Sequence, residues 1–177
     1  MLSEPSARDG ASTDPFSAAY RELSPRVLGY LRSHGVDDPE AVTDDVLLAL
    51  YRRFASIDGG EDGVRTLTFS IAHARLVDFH RAQARRPRHI RFDADEDPRR
   101  SVSAEDAAID VAGGRATALL PRLGDDQRQV ISLRVIGGLS LEETAQVMDR
   151  SVGSIKQLQR RGLECLRSLI AREAIDV

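Results

Sequence analysis

Residues 140–161, SLEETAQVMDRSVGSIKQLQRR, decide the fold of the C-terminal part of this chain. Ser140 followed three residues later by Glu143 is a capping box, the sequence pattern that starts a helix. Residues 148–150 are expected to form a turn, and Ser151 can cap the helix that follows it. Two capped helices joined by a short turn predict a helix-turn-helix, a motif that places its second helix in the major groove of DNA.

The second helix of this motif carries a row of side chains that form hydrogen bonds. Ile155 and Leu158 are expected to face inward, which leaves the polar residues on the outer face. Arg, Lys and Gln can reach base edges in the major groove, and Ser can bind phosphate. The alternative is that these charges form only a solvated helix face. The candidate contacts to duplex DNA are Ser151, Ser154, Lys156, Gln157, Arg160 and Arg161.

The rest of the chain predicts further helices and no strand. Asp14-Pro15 and Asp38-Pro39 each combine an N-cap with a proline at the first helical position. A third helix is expected from Val64 to Arg86, after a loop rich in Gly and Asp, and Pro25 should kink or split the first helix. The fold class is therefore all-α, with two small helical domains joined by a flexible acidic linker. The expected boundaries are 1–13 for a disordered N-terminus, 14–91 for the first domain, 92–112 for the linker, 113–172 for the helix-turn-helix domain and 173–177 for a tail.

Charge changes sign in blocks along the chain, whose net charge is −3. Residues 37–62 are acidic, residues 75–91 contain six arginines, and residues 92–112 are acidic again. This distribution indicates several partners of different charge. The single cysteine, Cys165, excludes an internal disulfide and a zinc ribbon.

No motif in the sequence predicts an enzyme, a membrane protein or an exported protein. The four histidines lack metal-ligand spacing, and the chain has no glycine-rich phosphate loop and no Gly-x-Ser-x-Gly motif. The longest apolar run, residues 46–50, is far too short to span a bilayer. Residues 1–14 lack the apolar core of a signal peptide. We therefore expect a cytoplasmic protein with no cofactor, no metal and no membrane insertion.

Four segments of the chain resemble extracytoplasmic-function sigma factors, the small bacterial sigma factors that contain only regions 2 and 4. FSAAYRELSPRVLGYL at residues 16–31 and DDVLLALYRRF at residues 44–54 look like the start of region 2. VRTLTFSIAHARLVDFHRAQARRP at residues 64–87 looks like regions 2.3 and 2.4, and residues 120–169 are similar to region 4 from end to end. Region 2, linker and region 4 in this order and at this length are highly specific to the family.

The resemblance covers about residues 15–90 and 113–170, with a few departures from the family pattern. Leu67-Thr68 stands where the family has Trp-Leu, and Ala74 stands where it has Asn. Asp44 replaces the common Gln of region 2.2. Each of these residues is compatible with the helix that it occupies, so the expected fold is unaffected.

The resemblance implies a promoter-specificity subunit of bacterial RNA polymerase that catalyses no reaction itself. Region 2 would bind the β′ clamp helices of the core enzyme and the −10 promoter element. Region 4 would bind the β flap and read the −35 element as duplex DNA. In this family an anti-sigma factor usually covers these faces. The implied contacts to the core polymerase are Asp44, Asp45, Leu48, Tyr51 and Arg52.

For the −10 element, the resemblance assigns a flipped base to the loop from Ser56 to Gly63. The phosphates of the open strand would lie on arginines of the following helix. The alternatives are that the loop is a simple connector and that the arginines form a solvated helix end. The implied residues are Ser56, Ile57, Asp58, Gly59, Gly60, Arg75, Arg81, Arg85, Arg86 and Arg88.

The acidic linker and the overall function each have alternatives. In the family the linker lies in the RNA path of the polymerase, which would involve Asp93, Asp95, Glu96 and Asp97. The alternative for the linker is solubilising disorder.

For the function of the whole chain, one alternative is a dimeric helix-turn-helix repressor or activator that binds a palindrome without polymerase. The other is a helical adaptor or anti-sigma-like protein that binds only proteins.

Overall fold

The computed structural model describes residues 14–85 and 118–175, and every element within these two ranges is a helix. We call the first range the N-terminal half and the second the C-terminal half. The all-α fold class expected from the sequence is confirmed. The described helices are α1 (Pro15–Ser33), α2 (Pro39–Tyr51), α3 (Gly60–Arg85), α4 (Asp125–Val135), α5 (Leu141–Met148) and α6 (Val152–Ile175), with short 3-10 turns at Phe54–Ser56 and Leu120–Arg122.

The first two helices begin where the sequence predicts. The Asp14 carboxylate accepts a hydrogen bond from the backbone N–H of Ser17 at 3.3 Å. The Asp38 carboxylate accepts one from the backbone N–H of Ala41 at 3.1 Å. In both cases the following proline occupies the first helical turn, where it has no hydrogen bond to lose.

Two details of the expected helices are wrong, the split at Pro25 and the start of the third helix. Pro25 does not split α1, which is one continuous helix, and the alternative of a kink stays a prediction. Pro25 and Arg21, whose carbonyl loses its donor, are both exposed, so water is available to that carbonyl. The third helix begins at Gly60 and not at Val64, since acidic residues in a first turn stabilise the positive end of the helix dipole.

The hydrophobic core joins the two halves of the described structure. One cluster of buried residues contains side chains from α1, α2 and α3 together with side chains from α4, α5 and α6. The members from the C-terminal half are Val130, Leu133, Leu139, Ala145, Val147, Met148 and Ile155. A second, smaller cluster lies wholly within the C-terminal half and contains Leu119, Leu120, Leu123, Ile131 and Leu166.

Polar contacts also cross between the halves. The hydroxyl oxygens of Ser33 and Ser132 lie 3.4 Å apart, where α1 meets α4. The Thr66 hydroxyl donates a hydrogen bond of 3.0 Å to Oε1 of Glu143, where α3 meets α5. The expected linker, residues 92–112, and the expected disordered N-terminus, residues 1–13, lie outside the described residues.

Candidate nucleic-acid interface

The helix-turn-helix has the geometry that its sequence predicts. The Ser140 hydroxyl accepts a hydrogen bond of 3.0 Å from the Glu143 backbone, and the Glu143 carboxylate accepts one from the Ser140 backbone. Asp149 ends α5 in the left-handed conformation, with φ of 50°. The Ser151 hydroxyl then accepts a hydrogen bond of 3.2 Å from the backbone of Ser154 and so caps α6.

The helix α6 packs tightly on its inner side. Ile155 is fully buried and Leu158 is partly buried against the shared core. Gly162 is also buried, and a Cβ atom at this position would lie 3.0 Å from Cγ1 of Ile131. A glycine therefore allows α6 to pass closely over α4.

The candidate −35 residues lie together on the outer face of α6. Ser154 is half-buried and the other five are exposed. Lys156, Gln157, Arg160 and Arg161 follow the i, i+1, i+4, i+5 spacing of one helix face. Lys156 is also the only lysine of the chain. Nη1 of Arg160 lies 3.6 Å from Oε1 of Glu164, and both side chains are exposed. The Ser151 hydroxyl already accepts the hydrogen bond that caps α6.

The loop between α2 and α3 borders a pocket of about 500 Å³, which we call the loop pocket. Gly60 does not line this pocket; it lines a separate groove of about 400 Å³ beside α1, bordered by Ala18, Leu23 and Phe54. Gly63 lets the loop pass against α3, because a Cβ at Gly63 would lie 2.0 Å from the Asp58 carbonyl oxygen. The residues that line the loop pocket are Arg53, Ser56, Ile57, Asp58, Gly59, Asp62, Gly63, Thr66, Leu67, Ser70, Glu143 and Gln146.

The candidate −10 arginines do not form one continuous row beside the loop pocket. Arg81 and Arg85 are exposed one turn apart on α3. Arg75 is exposed about 120° around the helix from Arg81, at ~100° per residue. Along α3 these side chains lie roughly 18–33 Å from Gly63, at 1.5 Å per residue. The remaining candidates, Arg86 and Arg88, lie outside the described residues, as do Asp93, Asp95, Glu96 and Asp97 of the linker.

The candidate core-polymerase residues share one exposed face of α2. Leu48 is 49% exposed and Tyr51 is 60% exposed, which is unusual for large apolar side chains. Asp44, Asp45 and Arg52 are exposed beside them. The ring of Phe16 from α1 packs edge-on against Tyr51, with ring centroids 4.9 Å apart, and so holds the aromatic part of this face in place.

Sequence reasoning did not find the polar groups that lie near the C-terminal end of α1. His34 is buried at the end of α1, and its Nε2 has no hydrogen-bond partner among the described residues. Burial lowers the pKa of His34 to about 3, with further contributions from Arg128, His80 and His73. The Tyr30 hydroxyl and Nδ1 of His73 form a hydrogen bond of 3.0 Å. No local sequence signal indicates these contacts, because each joins residues far apart in the chain.

The described residues contain neither a candidate metal site nor a membrane-spanning helix. Across residues 14–85 and 118–175, no group of three or more His, Cys, Asp or Glu side chains could hold a metal ion. In the same part of the chain, no helix is long and apolar enough to cross a membrane. The half-buried Cys165 packs against the second core cluster.

Comparison with known proteins identifies both halves of the chain. Residues 119–168 match the family model described as Sigma-70, region 4. The chain is 30% identical to the ECF RNA polymerase sigma factor SigK of Mycolicibacterium vanbaalenii, over 96% of this chain and 87% of that protein. It is 34% identical to the ECF RNA polymerase sigma factor ShbA of Streptomyces griseus, over 90% of this chain and 84% of that protein.

Solved structures show the same fold. CnrH in complex with the cytosolic domain of CnrY superposes with a TM-score of 0.61 at 22% identity, covering 89% of this chain and 88% of CnrH. The Bartonella quintana sigma factor RpoE in complex with the anti-sigma factor NepR gives a TM-score of 0.60 at 20% identity, covering 88% and 96% of the two chains. The helix-turn-helix geometry, the region 4 match and relatives that span nearly the whole chain agree: this chain belongs to the extracytoplasmic-function RNA polymerase sigma factors and acts in transcription initiation.

Proposed function

We propose that this sigma factor recognises its promoters through two separate DNA contacts. Residues 113–172 act as region 4 and bind the −35 element, and residues 14–91 act as region 2 and bind the −10 element. The observation that carries this proposal is the outer face of α6, where the polar side chains are exposed on the second helix of a fully capped helix-turn-helix.

At the −35 element, α6 lies in the major groove of duplex DNA. Gln157, Arg160 and Arg161 read base edges, and Lys156 contacts base edges or phosphate. Ser151 and Ser154 lie at the start of α6, where backbone N–H groups also attract a phosphate. This division of roles follows from exposure, because the four longer side chains extend from the outer face.

At the −10 element, the loop pocket accepts one unpaired base. Its volume of about 500 Å³ falls within the range of pockets that bind small ligands. Extruding a base costs a few kcal/mol, which contacts to the base and to the strand must offset. Arg75, Arg81 and Arg85, with Arg86 and Arg88, supply the contacts to the phosphates of that strand.

The exposed face of α2 is the docking surface for the core polymerase. Leu48 and Tyr51 provide apolar contact area, and Asp44, Asp45 and Arg52 form a charged rim around it. Interfaces between proteins commonly combine an apolar centre with a polar rim. This face binds the β′ clamp helices, while region 4 binds the β flap.

Further partners and the cellular setting belong to the same proposal. The structures of CnrH and of RpoE contain CnrY and the anti-sigma factor NepR. By analogy, an anti-sigma factor regulates this chain by covering its polymerase-binding and DNA-binding faces. The protein works in the cytoplasm and catalyses no reaction of its own. In the complex with polymerase, the linker lies in the RNA path through its acidic residues Asp93, Asp95, Glu96 and Asp97.

Run-off transcription with purified core polymerase tests this function. Reactions with and without the protein are run on a pool of genomic fragments, and the new transcripts are sequenced. We expect discrete transcripts whose upstream sequences share two spaced elements. A protein that yields no transcript but shifts a palindromic fragment by itself would be a repressor, and that result would overturn the proposal.

A further inference from the structure

The helix α6 carries a second row of side chains beside the residues that are assigned to base edges. Its members follow the i, i+4, i+7, i+11 spacing of one helix stripe and are Lys156, Arg160, Leu163 and Arg167. Gln157 lies about 100° further around the helix than Lys156. The second row therefore lies on one flank of α6, and Arg160 belongs to both rows.

This flank borders a groove of about 280 Å³ between α5 and α6, which we call the flank groove. Three of its six lining residues are cationic and none carries a carboxylate. The two leucines of the lining are half-buried, whereas the three cationic side chains are exposed. The flank groove therefore combines positive charge with an apolar surface. Its lining residues are Leu141, Lys156, Gln159, Arg160, Leu163 and Arg167.

Gln159 adds a hydrogen-bond donor to the flank groove. Nε of Arg134, on α4, donates a hydrogen bond of 3.3 Å to Oε1 of Gln159. A guanidinium group has donors only, so it holds the oxygen of the Gln159 amide on its own side. The guanidinium is itself fixed, because it also donates to the carbonyl of Leu139, just before the capping box. The two N–H bonds of the Gln159 amide are consequently turned away from Arg134 and left for the groove.

Two of the three cations are unengaged in the part of the chain that the structure describes. Within residues 14–85 and 118–175, no hydrogen bond or ion pair involves the side chains of Lys156 and Arg167. Arg160, by contrast, has the carboxylate of Glu164 as a neighbour. All the polar side chains of the flank groove therefore present donors, as a site for an anion requires.

The width of α6 places this flank beside a DNA strand. The major groove of B-DNA is ~12 Å wide, and a helix with its side chains is about 10–12 Å across. A helix that lies in the major groove and reads its floor therefore has a phosphate backbone along each flank. Because Arg160 joins the flank groove to the base-edge residues, the anion nearest to the flank groove is DNA phosphate.

We propose that the flank groove seats the sugar-phosphate backbone of one strand of the −35 duplex, which makes Gln159 and Arg167 additional DNA contacts. Lys156 and Arg167 are roughly 16 Å apart along α6, at 1.5 Å per residue, so they contact different phosphates of that strand. The Gln159 amide donates to a phosphate oxygen between them, and the two leucines pack against deoxyribose. This inference rests on the proposed function, because it assumes that α6 binds the −35 duplex.

The salt dependence of promoter binding tests the contact made by Arg167. Holoenzyme reconstituted from core polymerase and this protein is bound to a fluorescent promoter fragment, recovered by run-off transcription, at several salt concentrations. Arg167→Ala should weaken binding several-fold at a fixed salt concentration and reduce the slope of log affinity against log salt by about one unit. The preference for −35 base pairs should stay unchanged, because a phosphate carries no sequence information.

Arg172→Ala is the matched control for this substitution. It removes the same charge from an exposed position of α6 that does not line the flank groove. Its affinity and salt slope should equal those of the unsubstituted protein. If Arg167→Ala behaves in the same way as Arg172→Ala, the flank groove does not hold a phosphate.

A neutral phosphate identifies the ligand directly. Promoter fragments are made with a single methylphosphonate at each backbone position beside the −35 element in turn. At one position the neutral group should weaken binding of the unsubstituted protein several-fold and have little further effect on Arg167→Ala, because both changes remove one contact. Additive losses at every position would overturn the inference and would direct the search to an acidic protein partner for Arg167.

Two substitutions of Gln159 distinguish a DNA contact from a purely structural role. Gln159→Ala removes the amide donor. Gln159→Glu keeps an oxygen for Arg134 and forms an ion pair with it, but brings a negative charge to the flank groove. Gln159→Glu should therefore be at least as stable as Gln159→Ala in thermal unfolding and yet bind the promoter more weakly. If the more stable variant is also the tighter binder, Gln159 acts only through the structure of α6.

Base changes in the −35 element separate this inference from the proposed function. If such changes abolish binding while Arg167→Ala and Arg172→Ala bind alike, the inference fails and the −35 role of α6 stands. If base changes throughout the upstream element leave binding of the unsubstituted holoenzyme unaltered, the proposed −35 role fails, and this inference fails with it.

Discussion

Ser140 shows how one side chain can fix the position of a whole helix. Its hydroxyl accepts the Glu143 N–H at 3.0 Å, and Glu143 returns the interaction. We expect Ser140→Ala to lower the free energy of unfolding by about 1 kcal/mol, the usual effect of losing an N-cap. Urea unfolding followed by circular dichroism measures this change. Glu142→Ala, at the exposed neighbouring position, is the matched control and should change stability by less than half as much.

His34 makes stability depend on pH. Its pKa in the folded protein is lowered to about 3 by burial and by Arg128, His80 and His73, whereas an unfolded histidine titrates near ~6.5. The folded state therefore keeps its full stability above pH ~6.5. As the pH falls below that value, the unfolded state binds a proton that the folded state excludes.

The size of this effect can be measured by comparing two pH values. Between pH 7 and pH 5, His34 should reduce the free energy of unfolding by about 2 kcal/mol, at ~1.4 kcal/mol per pH unit. In His34→Gln this part of the loss should disappear. His80→Gln removes only one of the smaller contributions that lower the pKa of His34, so this variant should keep most of the pH dependence and serves as the comparison. An unchanged pH dependence in His34→Gln would show that His34 is not the responsible group.

At the scale of the elements, the packing of the loop between α2 and α3 against α3 depends on Gly63. A Cβ at Gly63 would lie 2.0 Å from the carbonyl oxygen of Asp58 and 3.1 Å from its carbonyl carbon. Since backbone cannot yield as a flexible side chain does, Gly63→Ala should displace the loop from α3. We expect a loss of about 1–3 kcal/mol in stability and weaker binding of the −10 strand.

Gly153→Ala provides the comparison for that substitution. Gly153 lies in the exposed first turn of α6, and a Cβ there would meet only the Ser151 hydroxyl oxygen at 4.0 Å. Alanine favours a helix over glycine, so thermal unfolding should show a small gain in stability. A similar loss in both variants would mean that the Asp58 contact is not the cause in Gly63→Ala.

The outer face of α6 gives a prediction about salt dependence. Lys156→Ala should weaken binding of duplex −35 DNA, and if Lys156 contacts a phosphate, the slope of log affinity against log salt should fall by about one unit. Arg161→Ala, which removes a base-edge contact in our proposal, should instead relax the preference for one base pair. Arg172→Ala, at the far exposed end of the same helix, should leave both properties unchanged.

The elements also show how much could be predicted from the sequence. The caps at Asp14, Asp38, Ser140 and Ser151 are local patterns, and each of them caps a helix in the structure. The sequence predicts the start of α3 four residues too late, at Val64 and not at Gly60, because Gly and Asp residues are common both in loops and in the first turn of a helix. The pocket lining from α5 could not be predicted, since it depends on contacts between residues about 75 positions apart.

At the scale of the whole molecule, the shared core should make the two halves unfold together. Leu133 lies in α4 and is fully buried in the cluster that contains Val27 of α1. Leu133→Ala should therefore lower the stability of the N-terminal half as well, by about 2–5 kcal/mol. Hydrogen exchange of α1 amides measures this effect. Leu119→Ala, in the cluster confined to the C-terminal half, is the comparison and should affect α1 much less.

Whole-molecule packing is also what the sequence could least specify. The apolar stripes of α3 and of the helix-turn-helix each predict that a face is buried, but not which faces pair. Thr66 is an example, because its hydrogen bond to Glu143 forms only when α5 packs beside α3. The prediction of two units and a linker therefore omits the contacts between the units, although it identifies the helices apart from the start of α3 and the split at Pro25.

The single lysine of α6 also allows the exposure of this helix to be measured by chemical modification. Lys156 carries the only ε-amine of the chain and is exposed on the face assigned to the −35 element. An amine-specific acylating reagent can therefore react with side chains at this one position alone, besides the terminal amine. Mass spectrometry of the acylated peptide would give the fraction of molecules whose recognition helix is free, without any label being introduced.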